Sequence, residues 1–170
     1  MHLNIEIKAH CLKQDDIRQI LLNHKADFKG TDHQIDTYFK VPNGRLKLRE
    51  GNIEVNLIQY HRDDQSGPKA SHVHLYKPAK SQDLRTALTA ALGIKVVVDK
   101  QREIYFIDNV KFHLDQVKRL GTFVEIEAID FDGSIGEAKL LEQCQYYMKL
   151  LAITEADLID NSYSDLLLNL

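Results

Sequence analysis

Charge returns at every second position along segment after segment of this chain, and few folds can accommodate that pattern. The stretch Arg45-Leu46-Lys47-Leu48-Arg49 sets three cations two residues apart with leucines between them. Alternate side chains of a β-strand leave on opposite faces, so the leucines claim one face and the cations gather on the other. The same spacing pairs Glu6 with Lys8, Lys100 with Arg102, Lys111 with His113 and Asp115, and Glu125 with Glu127. A single such strand in an open antiparallel sheet would turn its charged face to water. Arginine and paired glutamate recurring on so many strands imply instead one enclosed surface, a closed or nearly closed barrel with a charged lumen that brings both signs within reach.

The remaining pattern agrees with an α+β chain dominated by antiparallel strands. Leu3, Ile5, Ile7 and Ala9 alternate with Asn4, Glu6 and Lys8, which predicts a first strand. Ile17, Ile20, Leu21 and His24 recur at helical spacing and predict a helix over residues 14 to about 27, with Asp15 or Asp16 near its start and Gly30 after its end. A strand over 36–40 and the basic strand form a hairpin through Pro42-Asn43-Gly44, and a further strand covers 53–62. Residues 63–69 hold turn formers and charge without periodicity and read as a mobile loop, after which alternation resumes over 71–77. A helix over 81–92 is expected with Ser81 as N-cap and Gly93 at its C-cap. Four strands follow, over 94–98, 100–107, 110–117 and 121–129, with Asp108-Asn109 as a tight turn. Ser134 and Glu137 suggest a capping box for a long amphipathic helix through Leu151, a short helix follows Thr154, and an apolar tail follows Asp165. No repeat or linker divides residues 1–170, so one domain is expected.

A formal net charge of −3 excludes an overall positive field of the kind that binds nucleic acid, so the basic groups must act locally. The apolar runs are too short for a membrane span, and Asn4, Glu6 and Lys8 interrupt any secretory leader, which makes a cytoplasmic location the expectation. Cys11 and Cys144 lack metal-ligand spacing and read as free thiols.

Two unit charges about 4 Å apart interact by roughly 4 kcal/mol at an effective dielectric near 20, so stacked cations need anionic compensation. Acidic neighbours or a bound ligand would provide it, and a polyphosphate is the economical candidate. Glu125 and Glu127 share a strand face and suit a hard cation such as Mg²⁺ or Mn²⁺, which favours oxygen ligands together with substrate phosphates.

Five segments in order resemble the CYTH superfamily, the triphosphate tunnel metalloenzymes, and within it the class IV adenylate cyclase branch: NIEIK at 4–8, DTYFKVPNGRLKLREG at 36–51, LIQYHRDDQSGPKAS at 57–71, KQREIYF at 100–106 and VKFHLDQVKRLGTFVEIE at 110–127. The resemblance implies an eight-stranded antiparallel tunnel with helices packed outside, ATP or another triphosphate as substrate, divalent metal and a possible homodimer. It places Lys8, Arg45, Lys47, Arg62, Lys100 and Arg102 at triphosphate-binding positions, with Arg49 in the same strand. Glu6, Asp115, Glu125 and Glu127 fall at metal positions, and Glu6, Lys8, Arg62 and Asp115 carry the catalytic expectation. His113 is expected to donate to phosphate, to move a proton or to be a satisfied core histidine. The reaction implied is conversion of ATP to cyclic AMP and pyrophosphate, with a triphosphatase or a non-catalytic triphosphate binder as alternatives.

One position departs from the family. Its hallmark Glu-x-Glu-x-Lys begins here with Asn4, which offers a carbonyl oxygen without negative charge. Tyr60 is expected to pack, His72 and His74 to be exposed strand residues, and Tyr146, Tyr147 and Met148 to lie against the barrel exterior. No glycine-rich phosphate loop and no serine or cysteine nucleophile motif occurs.

Overall fold

The computed structural model describes residues 1–61, 65 and 67–170. Its period-two segments form β1 (His2–His10), β2 (Asp27–Phe39), β3 (Arg45–Glu50), β4 (Val55–His61), β5 (Lys69–Tyr76), β6 (Ile94–Ile107), β7 (Val110–Val117) and β8 (Gly121–Asp130). These pair antiparallel throughout and close into a barrel in the order β1-β5-β4-β3-β2-β6-β7-β8. Helices α1 (Gln14–Asn23), α2 (Ser81–Leu92), α3 (Glu137–Leu150) and α4 (Tyr163–Leu168) belong to the same chain, with a 3₁₀ turn at Glu155–Asp157.

Two apolar clusters hold the architecture. On the outside, Ile17 and Leu21 of α1 and Leu140 and Cys144 of α3 pack on Ile5, Ile7, Phe112, Leu114, Val124 and Ile126, all buried. Each such side chain contributes roughly 1.5–3 kcal/mol on burial. Tyr147 joins this cluster with its ring edge-on to Phe112 at 4.9 Å, whereas Tyr146 is largely exposed. The second cluster lies inside one end of the barrel, where Tyr38, Tyr60, Val73, Val98, Val117 and Phe123 meet Tyr163 of α4. Tyr60 therefore packs, as its sequence context suggests. Cys11 and Cys144 are both buried free thiols, and no helix among the described residues is long and apolar enough to cross a membrane.

Several boundaries differ from the sequence reading for local reasons. Helix α1 stops at Asn23 because Lys25 adopts a left-handed φ of 57° and Ala26 donates back to the Leu21 carbonyl at 2.9 Å. Gly30 is consequently not its terminator but sits at a register shift within β2. The segments over 94–98 and 100–107 are one continuous strand, β6. Lys80 occupies the N-cap of α2 and makes no side-chain cap, so Ser81 is the first helical residue. The Ser134–Glu137 box is absent as well: Gly136 is the N-cap of α3, and the Asp130 carboxylate accepts the backbone N–H groups of Gly133, Ile135 and Gly136. Capping boxes occur instead at Thr154/Asp157 and Ser162/Asp165. Lys69, expected in a loop, begins β5. Of the segment over 63–69 expected to be mobile, Asp63, Asp64 and Ser66 lie outside the described residues, as does Arg62.

The tip between β3 and β4 is built around buried Asp32, which accepts from the backbone N–H groups of Asn52, Ile53 and Glu54. Gly51 is required here, because a Cβ at this residue would lie 2.5 Å from Asp32 Oδ2. This grip aims Glu54 into the barrel.

Candidate active site within the barrel

Register decides which charges meet. Glu6 lies directly opposite Glu127 and Lys8 opposite Glu125 across β1 and β8, while His113 faces Glu125 and Lys111 faces Glu127 across β7 and β8. Arg102 opposes Asp115, Asp36 opposes Arg49 and Tyr38 opposes Lys47. The inward residues line a cavity of ≈ 210 Å³ whose charged lining includes Glu6, Lys8, Lys47, Arg49, Lys100 and Arg102. That is below the roughly 300–1,000 Å³ of drug-sized pockets, so the cavity suits a compact group.

One wall of the lumen, formed by β2, β3 and β6, is cationic. Buried Asp36 sits at its centre and accepts from Arg49 Nε and Nη2 at 2.9 Å each, from Lys47 Nζ at 2.9 Å and from Lys100 Nζ at 2.8 Å. Burial alone would raise the Asp36 carboxyl, but Arg49, Lys100 and Lys47 outweigh it and hold the group well below the usual carboxylate range. Lys100 moves oppositely: burial, with Arg49, Arg102 and Lys47 adding to it, pulls its ammonium down to about 7 against the opposing pull of Asp36. Three cations thus share one carboxylate. Arg49 also donates to Glu54 at 3.0 Å, and Lys111 forms an ion pair with the same glutamate.

The opposite wall, β1 and β8 with β7 beside them, carries the carboxylates. Glu125 receives Lys8 at 2.8 Å and Arg102 at 2.9 Å, and its Oε2 stands 3.0 Å from His113 Nδ1. Glu127 is pushed up to about 7 by burial, with Glu6 and Glu125 adding to it, against the opposing pull of Lys111 and Arg102. One ligand atom each from His113, Glu125 and Glu127 lies within 4.8 Å of the others. Crowded carboxylates of this kind are the arrangement a divalent cation relieves, so the donor set fits such an ion.

Helix α4 closes one end. Tyr163 donates its hydroxyl to Asp115 Oδ2 at 2.7 Å, and Lys8 Nζ stands 3.8 Å from its ring centroid. Arg45 donates to Asp165 of the same helix at 2.8 Å. Toward the other end the lining turns to His2, Leu75, Phe106, Ile129 and Phe131, with Leu75 and Phe131 exposed. Among the described residues, then, α4 covers one end of the lumen and these mostly apolar side chains stand at the other.

Of the sequence-derived site residues, Glu6, Lys8, Lys47, Arg49, Lys100, Arg102, Glu125 and Glu127 all line this cavity. Arg45 of β3 pairs with Asp165 at the end that α4 covers, and Asp115 is buried beneath Arg102, which grips it through Nε at 2.7 Å and Nη2 at 2.6 Å. His113 is fully buried beside Glu125. His72 and His74 are exposed, as expected. The cations do have acidic neighbours, and the principal one, Asp36, was missed along with Glu54 and Tyr163. Asp36 follows Asp32 and Gln34 at two-residue spacing, a run of inward polar residues that resembles an exposed strand. Glu54 lies in a turn, and Tyr163 reaches the lumen from a tail with no strand period.

The family model described as the CYTH domain matches residues 2–163. No curated protein matches the chain. The solved structures that resemble it include the PH1012 protein of Pyrococcus horikoshii OT3, at 22% identity and a TM-score of 0.79 over 98% of this chain and 99% of that one. A candidate adenylate cyclase from Vibrio parahaemolyticus aligns at 18% identity and a TM-score of 0.80 over 97% of each chain. A candidate adenylyl cyclase from Hippeastrum, whose structure is described as revealing a dominant triphosphatase activity, aligns at 13% identity and a TM-score of 0.58, over 99% of this chain and 94% of that one.

Proposed function

The chain belongs to the CYTH domain family, and on that premise we propose that it is a metal-dependent enzyme acting on a triphosphate, with conversion of ATP to cyclic AMP and pyrophosphate as its leading activity. One observation carries the reading: a cation wall that gathers Lys47, Arg49 and Lys100 on one carboxylate, Asp36, stands across the lumen from a wall where Glu127 faces Glu6 and lies beside Glu125 and His113. Phosphate oxygens complete the coordination of Lys47, Arg49 and Lys100 on one side. On the other side Glu6, Glu125 and Glu127 would hold the divalent ion, Mg²⁺ or Mn²⁺.

A divalent ion held there would supply charge neutralisation to the phosphate groups. The chain's own residues do the rest. Lys8 and Arg102, fixed by Glu125 and Asp115, present N–H donors to charge that develops as the reaction proceeds. Tyr163 seals the closed end and keeps bulk water from that side. In the cyclase reaction the ribose 3′ oxygen bonds to the α-phosphorus, the bond from that phosphorus to the α,β-bridging oxygen breaks, pyrophosphate leaves and the 3′ hydroxyl proton passes to solvent.

A second reading, hydrolysis in the same pit with water attacking the terminal phosphorus, is favoured by the small cavity, which holds phosphate groups and leaves a nucleoside at the mouth. Product analysis after incubation with ATP and Mn²⁺ separates the two. Cyclic AMP with pyrophosphate establishes the cyclase, and orthophosphate establishes the triphosphatase. Nucleotide binding without turnover would leave only a binding protein, and no binding at all would end the proposal.

A further inference from the structure

The chain has eight histidines, and His113 alone among them is buried. It is not there as a satisfied core residue. Its Nε2 has no partner among the described residues, so the ring is fixed from the Nδ1 side alone. There two carboxylates converge: Nδ1 lies 3.0 Å from Glu125 Oε2 and 3.7 Å from Glu127 Oε1. Adjacent donors around a first-row divalent ion with bonds of about 2.0–2.2 Å stand roughly 3 Å apart. The first separation already has that value, and the second needs a closure of about half an ångström.

The surroundings are those of ligands held in place. Glu125 is oriented by Lys8 on Oε1 and by Arg102 on Oε2, as carboxylates that bind metal usually are by outer partners. Asn4 adds an independent sign. It lines the same lumen two residues before Glu6, is buried, and its Oδ1 has no partner among the described residues. An oxygen of this kind is a neutral donor awaiting a cation or a water.

We propose that the metal centre of this chain is a mixed nitrogen–oxygen site, with His113 Nδ1 joining Glu125 and Glu127, and that it therefore selects a first-row transition ion over Mg²⁺. Imidazole is a poor partner for Mg²⁺, which favours oxygen, and a good one for transition ions. The inference rests on the proposed metal-dependent reading of the lumen and goes beyond it in assigning ligand and metal class.

The test uses the metal-free, full-length protein and needs no turnover. Mn²⁺ is added and pulsed electron paramagnetic resonance is recorded. Nitrogen couplings from a bound imidazole are expected, and they are expected to vanish in His113→Gln, with Mn²⁺ affinity falling at least tenfold and Mg²⁺ affinity changing less than threefold. Should that variant fail to fold, wild-type protein labelled with ¹⁵N-histidine decides the matter: Zn²⁺ must displace the ring-nitrogen resonance of the one solvent-protected histidine. Mn²⁺ bound with no nitrogen coupling, couplings that survive in His113→Gln, or an unmoved resonance would each overturn the inference while leaving the metal-dependent reading intact. Failure of the protein to bind either ion would overturn both.

Discussion

Asp36 neutralises more than its share, and its removal has two separable effects. Asp36→Asn keeps the shape of the side chain but leaves Arg49, Lys47 and Lys100 without their common anion. Breaking a buried ion pair from one side costs about 3–5 kcal/mol, so the urea midpoint should fall by that equivalent with little change in slope. Inorganic triphosphate should recover part of the loss, because its oxygens replace the carboxylate, and a thermal melt with and without it checks this. Lys100 supplies a pH dependence. Its folded-state value, lowered from 10.5 to about 7, means that the unfolded chain binds more protons between those values. The penalty for burying this ammonium is therefore fully present below about pH 7 and is relieved as pH rises through that window. Binding runs the other way, since the neutral amine grips phosphate less. Calorimetric affinity for inorganic triphosphate should fall between pH 6 and 8.5, and Lys100→Arg, which stays charged, should flatten the profile.

At the scale of elements, α4 is the piece whose role was hidden. A six-residue helix after the last strand carries no signature of a lumen contact, and only the three-dimensional closure brings Tyr163 onto Asp115. Tyr163→Phe removes the donor at 2.7 Å and leaves a buried acceptor with one partner fewer. A loss of about 1–3 kcal/mol is expected by denaturant titration. The strands were legible in proportion to how cleanly their two faces differ. Over most of β1, β3, β7 and β8 apolar and polar residues alternate, and the charged faces read from that alternation do converge inside the barrel. The first half of β2 was not found, because Asp32, Gln34 and Asp36 face inward where a strand signal would call for apolar groups. Helix α1 was overextended for a related reason: the left-handed turn at Lys25 has no glycine to announce it.

For the molecule as a whole, barrel closure followed from one argument, that charge repeated on so many strand faces must converge. What that argument left undetermined was how much of the charge is balanced internally. The answer, a lumen in which Asp36, Asp115, Glu54 and Glu125 already pair with the cations, depends on side-chain reach across strands distant in sequence. It also bears on the energetics of binding, since a ligand exchanges partners with a preformed network and does not fill a bare positive cavity. Inorganic triphosphate with divalent metal at one hundred times its dissociation constant should stabilise the fold by about 2.7 kcal/mol. For a chain of this size that corresponds to roughly 5–10 °C in melting temperature, and an unchanged melting curve would count against a lumen ligand.

The stopper formed by Tyr163 has a geometric corollary. A polymer cannot be drawn through a bore that α4 covers at its far side, so only the free terminus of a phosphate chain can descend to the ionic floor. Linear polyphosphates should therefore be recognised by their ends, whereas compounds blocked at both ends, such as dinucleoside polyphosphates, should be excluded however well their charge matches.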